Sequence, residues 1–531
     1  MLELLVFLIL GSIAVLGVLA KRTRLPYPIV FLLGGIALAL IPGMPTVELE
    51  PDVVFLVFLP PLIFGDGFVT DWRDFKRYIR PIGWLAIGLV IVTSVTVAYV
   101  AHWLIGLPLA VGFVLGAILS PTDTVATDAI AEATNVPRRI EIILSGESLV
   151  NDATGLVLYK FAIGAVLAGT FSLGLALAQF LYVALVGLAI GIIGAELIMR
   201  VSRLLHDREL TDDTLLTVIT LVSPYLLYLA ADRCGASGVL AAAAGGIYVS
   251  RKGGGFYTAD SRIIGRGVWN TMFFLFNGTL FIILGLQLRT IVTELQIFPL
   301  PTLLLYGGVI AFTVIVVRLI WVTIVARARP LFDRHIVERE GPIPPLGWTV
   351  VLGWAGMRGI VSLAAALAIP RELAPHVPFP ARDLIQFITF VTILVTLIGQ
   401  GITLPLLIRW FKVRDIDSSD HDIQRARLLV AEAGLRRLES LEPSFVSPDH
   451  WEIAGKFRSR YEEQMLHYRS HVEGVGLETD GLRHQITRDL IGHVLDAERK
   501  MLVDLRLRGD VSDAVYRRLQ YDIDLEESLF G

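Results

Sequence analysis

Four polar side chains lie where hydrocarbon is expected. Glu147, Ser148, Asn151 and Asp152 fall within an apolar run from Ile140 to about Leu167, long enough to cross a bilayer. A carboxylate at that depth costs about 2.5–3.5 kcal/mol on insertion scales, and by default it marks an ion or proton pathway. Residues three or four apart share a helical face, so Glu147 sits over Asn151 and Ser148 over Asp152, forming one polar stripe. An ordinary polar contact between helices would account for one isolated Asn or Ser. It is a poorer account of a Glu and an Asp within six residues.

Three further stretches add chemistry. In Ser120-Pro121-Thr122-Asp123, the proline removes a backbone donor and clashes with the carbonyl four residues back, so a helix here should break. The break frees carbonyls such as that of Thr122 to coordinate a cation. It also exposes a half-helix N-terminus whose positive end favours the Asp123 carboxylate. In Gly353-Trp354-Ala355-Gly356-Met357-Arg358-Gly359, glycines flank an arginine within apolar sequence, which reads as a second interrupted helix. Arg358 is too central to snorkel and needs an anion, and Glu147 is the expected partner in a bidentate pair. In Phe58-Leu59-Pro60-Pro61, a double proline should bend a third helix, with Asp66 near its end. Asp66 reads either as an interfacial aspartate or as part of a cation funnel.

The elements that must position these groups are membrane spans. Hydrophobic residues make up 54% of the 531 and charged ones 18%, and the mean hydropathy is +0.66, a composition far from that of a soluble globular domain. Windows of about 20 residues give 13 candidate spans, at roughly 2–20, 27–42, 52–69, 81–101, 109–131, 140–167, 172–199, 213–231, 236–250, 268–288, 300–326, 346–369 and 384–408. Loops after odd-numbered spans carry 23 Lys and Arg against four after even-numbered spans. By the positive-inside rule this places the N-terminus outside and the basic loops in the cytoplasm. The first span could pass for a signal peptide, but Glu3 replaces the basic leader and no cleavage site stands out. The net charge of −4, with no basic cluster interleaved with aromatics, gives no indication of nucleic acid, and the single Cys234 excludes an internal disulfide.

The chain divides into a transmembrane domain, 1–410, and a polar, helical cytoplasmic domain, 411–531. His421, His450, His467, His471, His484 and His493 in the latter invite a pH-sensing role, with ordinary solvated histidines as the simpler reading. Spans five and twelve stand seven apart, as do six and thirteen. An inverted repeat relating spans 1–6 to 8–13 would therefore cross the two interrupted helices beside the sixth span at mid-membrane. The expected fold is an all-α polytopic membrane protein of about 13 transmembrane helices, with inverted repeats and two crossed, interrupted helices.

Four motifs, in order and on these spans, resemble the monovalent cation:proton antiporters of the sodium/proton exchanger type. They are Phe-Leu-Pro-Pro at 58–61, Ser-Pro-Thr-Asp at 120–123, Gly-Glu-Ser-Leu-Val-Asn-Asp at 146–152 and Gly-Met-Arg-Gly at 356–359. The resemblance covers about residues 1–410, in the branch with an Asn-Asp pair. It implies that Asp152 is the exchanged-ion carboxylate, that Asp123, Ser148 and the Thr122 carbonyl help to ligate Na+, that Asn151 supports the site and that Glu147 pairs with Arg358. Asp66 stands where some members place a ligating glutamate. The resemblance further implies a bacterial-type, plasma-membrane homodimer with no cofactor beyond the transported Na+ and H+.

The implied mechanism is competition. A carboxylate denied water is costly to hold charged, so either a proton or a cation neutralises Asp152, and each neutral form can change sides while the empty charged form cannot. One bundle carrying spans five, six and twelve would move against the other. Asn151 in place of a second aspartate suggests one-for-one, electroneutral exchange. Other readings remain open: K+ or Li+ as the main substrate, a cation channel, or an intramembrane serine protease suggested by Gly235-Ala236-Ser237-Gly238. The last lacks a histidine in any later span, so the chain is not expected to be an enzyme.

Overall fold

The computed structural model describes residues 2–23, 25–42, 50–123, 136–168, 173–208, 210–253, 259–294, 299–332, 344–374, 377–413, 419–442, 447–473, 477–508 and short pieces between 510 and 523. The elements in chain order are α1 (Leu2–Thr23), α2 (Tyr27–Ala39), α3 (Pro51–Val69), α4 (Trp72–Arg77), α5 (Ile79–Ile105), α6 (Leu109–Leu119), α7 (Arg138–Ala168), α8 (Leu173–Asp207), α9 (Asp213–Arg233), α10 (Gly238–Gly253), α11 (Ala259–Glu294), α12 (Leu300–Phe332), α13 (Leu346–Trp354), α14 (Ile360–Leu367), β1 (Glu372–Ala374), β2 (Val377–Pro378), α15 (Arg382–Trp410), α16 (Ser419–Leu441), α17 (Pro448–Glu473) and α18 (Leu477–Arg508). Among the described residues, nine helices are long and apolar enough to cross a membrane. The other four expected spans fall on shorter or interrupted helices: α2, α6, α10, and the pair α13 and α14. One departure from an all-α chain is the antiparallel pairing of β1 with β2. Pro370, Pro378 and Pro380 bar a helix from this connection.

The Pro60-Pro61 pair does not interrupt α3. The turn before it widens into a π-helical stretch, Val54–Phe58, which gives the proline rings room against the preceding carbonyls. The Val57 carbonyl, whose usual donor would be the missing N–H of Pro61, instead accepts a hydrogen bond from the Tyr225 hydroxyl at 2.9 Å. A second π-helical stretch, Trp84–Leu89, lies in α5, and there the Trp321 indole N–H donates to the Trp84 carbonyl at 3.0 Å. Both repairs obey the requirement that backbone groups inside a membrane find partners within the protein.

The helix carrying the polar stripe lies between two hydrophobic clusters. Ile140, Leu144 and Tyr159 of α7 belong to one, with α2, α6, α11 and α15. Ile143, Leu149 and Ala153 belong to the other, with α3, α5 and α10. The stripe is therefore turned toward the protein interior, because both apolar flanks of α7 are occupied. Contacts divide the chain at Asp415/Ile416, a few residues beyond the expected 410/411 boundary. In the second unit, the Gly434 backbone of α16 packs on the Tyr461 ring of α17, beside buried Ala431 and Ala454.

Candidate functional site

The site is built where two helices stop. α6 ends at Leu119, and Ser120, Pro121, Thr122 and Asp123 continue as non-helical backbone. Several of the polar groups freed there find partners within the protein. Ser120 Oγ donates to the Ala117 carbonyl at 2.9 Å, Arg358 Nε donates to the Leu119 carbonyl at 3.0 Å, and Ser148 Oγ donates to the Thr122 carbonyl at 3.0 Å. The Asp123 N–H donates to the Met357 carbonyl at 2.8 Å. That last bond joins the two interruptions directly, because Met357 lies in the break between α13 and α14. Segment 124–135, the expected second half of the fifth span, lies outside the described residues.

The second break is shaped by its glycines. A β-carbon on Gly359 would collide with the Asp123 carboxylate, and one on Gly356 would collide with the Arg318 guanidinium. The two breaks can interlock only because these positions carry no side chain. Asp123 thereby sits at the start of α14, where the helix dipole favours an anion. The Arg358 N–H donates to Thr396 Oγ1 at 3.2 Å, on the π-helical stretch Val395–Gln400 of α15.

The expected Glu147–Arg358 pair is not formed. Glu147 is held by Arg318 of α12 through two parallel hydrogen bonds, Nη1 to Oε1 and Nη2 to Oε2, the second at 2.8 Å. Both side chains are almost fully buried, at 1% and 0% exposure. Arg358, also fully buried, turns its guanidinium to the carbonyls of Leu119 and Gly356. The physical reason is the convergence of two half-helix C-termini, α6 and α13, whose orphaned carbonyls and dipoles demand a cation. Arg358 meets that demand, which leaves the carboxylate to Arg318. Sequence reasoning passed over Arg318 although it stands mid-way in an apolar span, where an arginine requires an explanation.

Thr122 is the junction of the polar network. Its hydroxyl donates to Glu147 Oε1 at 3.2 Å and accepts from Asn151 Nδ2 at 2.8 Å, while its carbonyl takes the Ser148 hydroxyl. The carbonyl keeps a second lone pair and Ser148 Oγ keeps its acceptor pairs, so both can still ligate a cation. Asn151 Oδ1 is buried without a hydrogen-bond partner among the described residues.

Beside this network lies a cavity of about 50 Å³, room for one cation or a few waters. Asp66, Thr122, Asp123, Ser148 and Asp152 all line it. Asp152 is 8% exposed, and no hydrogen bond or ion pair to it occurs among the described residues. Asp123 and Asp66 are close enough to act on it electrostatically. Asp66, open between two readings in the sequence, thus faces the same cavity as the other acids. The three carboxylates do not converge into a tight cluster, since no group of three His, Cys, Asp or Glu poised to hold a metal occurs among the described residues. Ser237, the nucleophile of the protease reading, caps α10, its hydroxyl accepting the Leu240 N–H at 3.2 Å.

The family model for the transmembrane sodium/hydrogen exchanger matches residues 7–410. The chain belongs to the sodium/hydrogen exchanger family. Among similar exchangers and antiporters, a sodium, potassium, lithium and rubidium/H+ antiporter of Bacillus pumilus is 34% identical over 78% of this chain. The chain spans only 62% of that relative's length. An uncharacterised Na+/H+ exchanger of Escherichia coli is 31% identical over 98% of each chain. The solved sodium proton antiporter of Methanocaldococcus jannaschii at pH 8 covers 76% of this chain and 98% of its own, with a TM-score of 0.58 at 19% identity, and so shares the exchanger fold. The chain is accordingly a multi-pass membrane protein with the fold of a sodium/proton antiporter. The two interlocked breaks lie within the part matched by the exchanger model.

Proposed function

We propose that this chain is a secondary antiporter exchanging Na+ for H+, one for one and without net charge movement, across the plasma membrane. The observation that carries the reading is Asp152: a buried carboxylate without a hydrogen-bond partner among the described residues, opening on a cavity it shares with Asp123, Asp66, Thr122 and Ser148. Held charged and empty, such a group is destabilised by several kcal/mol; a proton or a cation relieves that, and the two exclude each other. Asp123, Ser148 and the Thr122 carbonyl complete the cation's shell. Asn151 orients Thr122, and Asp66 draws cations in. The Glu147–Arg318 pair and Arg358 hold the breaks together and touch neither passenger.

Alternating access follows from movement of the bundle that holds the breaks and α7 against the remainder, with the N-terminus outside, the C-terminal unit in the cytoplasm and two copies forming a homodimer. The chain uses no cofactor and no nucleic acid and catalyses no covalent chemistry. A second reading, broader cation choice including K+ and Li+, is favoured by the Bacillus relatives, which are sodium, potassium, lithium and rubidium/H+ antiporters. Both readings are tested by proton flux in vesicles carrying the purified chain, driven in turn by Na+, Li+ and K+, with Asp152→Asn alongside. Exchange that survives this substitution undiminished would sink the mechanism. Passive Na+ current without proton countermovement would mean a channel.

A further inference from the structure

α11 places Asn277 in the wall of the acidic cavity, together with Leu280. The side chain is 5% exposed, and its amide oxygen finds no hydrogen-bond partner among the described residues. The register of α11 there is fixed on both sides, by Phe276 packed edge-on against Phe58 at 4.9 Å and by the Gly278 backbone against Ile13. An amide in that position weakens the fold unless something completes it, since a buried acceptor left unsatisfied is destabilising. Its span is also the seventh after that of Asp66, so the repeat that relates the two interrupted helices relates these two cavity walls.

Resting on the antiport reading above, we propose that Asn277 is a cation-contacting, specificity-determining residue whose amide oxygen ligates the monovalent cation from the α11 wall of the cavity. The chemistry is selective in a way a carboxylate is not. A carboxylate binds a proton and a cation in competition, whereas an amide oxygen is a good ligand for a dehydrated alkali cation and a negligible base. Asn277 therefore adds to cation affinity without adding to proton affinity and biases the competition at Asp152 toward the metal ion. Its reach also sets how large a cation the cavity accepts.

The test is the full chain with Asn277→Leu, which keeps the branched outline and removes the oxygen, and Asn277→Ser, which restores a shorter oxygen. In vesicles, Asn277→Leu should raise the half-saturating Na+ on the order of tenfold, the loss expected for one polar contact to a charged group. It should shift the Na+-dependent pH profile alkaline by about one unit, because each tenfold loss to the proton is recovered by one unit of pH. Asn277→Ser should recover part of both shifts and change the preference among Li+, Na+ and K+.

A companion measurement follows thermal stabilisation of the purified protein by Na+ at fixed ionic strength, which should be strong in the wild type and weak in Asn277→Leu. If the Leu variant keeps its half-saturation, its cation order and its pH profile, and loses only melting temperature, Asn277 is a packing residue and the proposal is wrong. If the wild type moves no protons but is stabilised by Na+ and the Leu variant is not, the antiport reading fails while the ligand assignment stands. Absence of both effects in the wild type overturns both.

Discussion

The Glu147–Arg318 pair makes a quantitative claim that separates the structure from the sequence. Glu147→Met strands a guanidinium that is fully buried and loses two charge-assisted hydrogen bonds. At about 1.5–3 kcal/mol for each bond to a charged group, the sum agrees with the roughly 3–5 kcal/mol expected when one partner of a buried pair is removed. Arg318→Met strands the carboxylate and should lose a similar amount. The double variant Glu147→Met with Arg318→Met leaves no uncompensated charge and should be less impaired than the two losses added, with a coupling of about 3 kcal/mol. The same cycle on Glu147 and Arg358, which share no hydrogen bond and act on each other only through space, should give a clearly smaller coupling. The assay is the thermal or denaturant stability of the detergent-purified chain. Additive losses for Glu147 with Arg318, or a larger coupling for Glu147 with Arg358, would refute the assignment of Arg318 as the carboxylate's partner.

Four other outcomes follow from the geometry. Asp152→Asn should abolish cation-driven proton flux in vesicles while leaving the melting temperature unchanged or raised, because it removes a buried charge; a large loss of stability would mean the carboxylate has structural partners. Gly359→Ala should disable exchange even at saturating Na+, since the new β-carbon meets the Asp123 carboxylate; normal turnover would show that the two breaks need not interlock this closely. If proton and cation compete at one acid, the half-saturating Na+ should rise about tenfold for each unit by which pH falls in the range where that acid is protonated, and a pH-independent value measured from flux against Na+ would exclude competition. Tyr225→Phe should destabilise the protein by about 1–3 kcal/mol through the Val57 carbonyl it leaves unpaired, which chemical denaturation would register.

Much of the architecture is legible in the chain itself. Apolar length placed the spans, since a helix inside a bilayer needs about 20 apolar residues whatever its neighbours are. Pro121 and the glycines around Arg358 marked the two interruptions, because proline and glycine act on the backbone locally. Helical spacing put Glu147, Ser148, Asn151 and Asp152 on one face for the same reason. The pairing of charges was not legible. Arg318 lies 171 residues from Glu147, and which arginine takes a carboxylate depends on what else each guanidinium must satisfy in three dimensions. Arg358 is claimed by the ends of two half-helices, a demand that exists only once they meet. Nor could sequence bring Asn277 and Asp66 to one cavity with Asp123 and Asp152, because that convergence is set by the packing of α3 and α11 around the breaks. Local chemistry determined which segments would stop, bend or bury charge. Only the tertiary structure decided which of those charges would neutralise each other and which would be left to the ion.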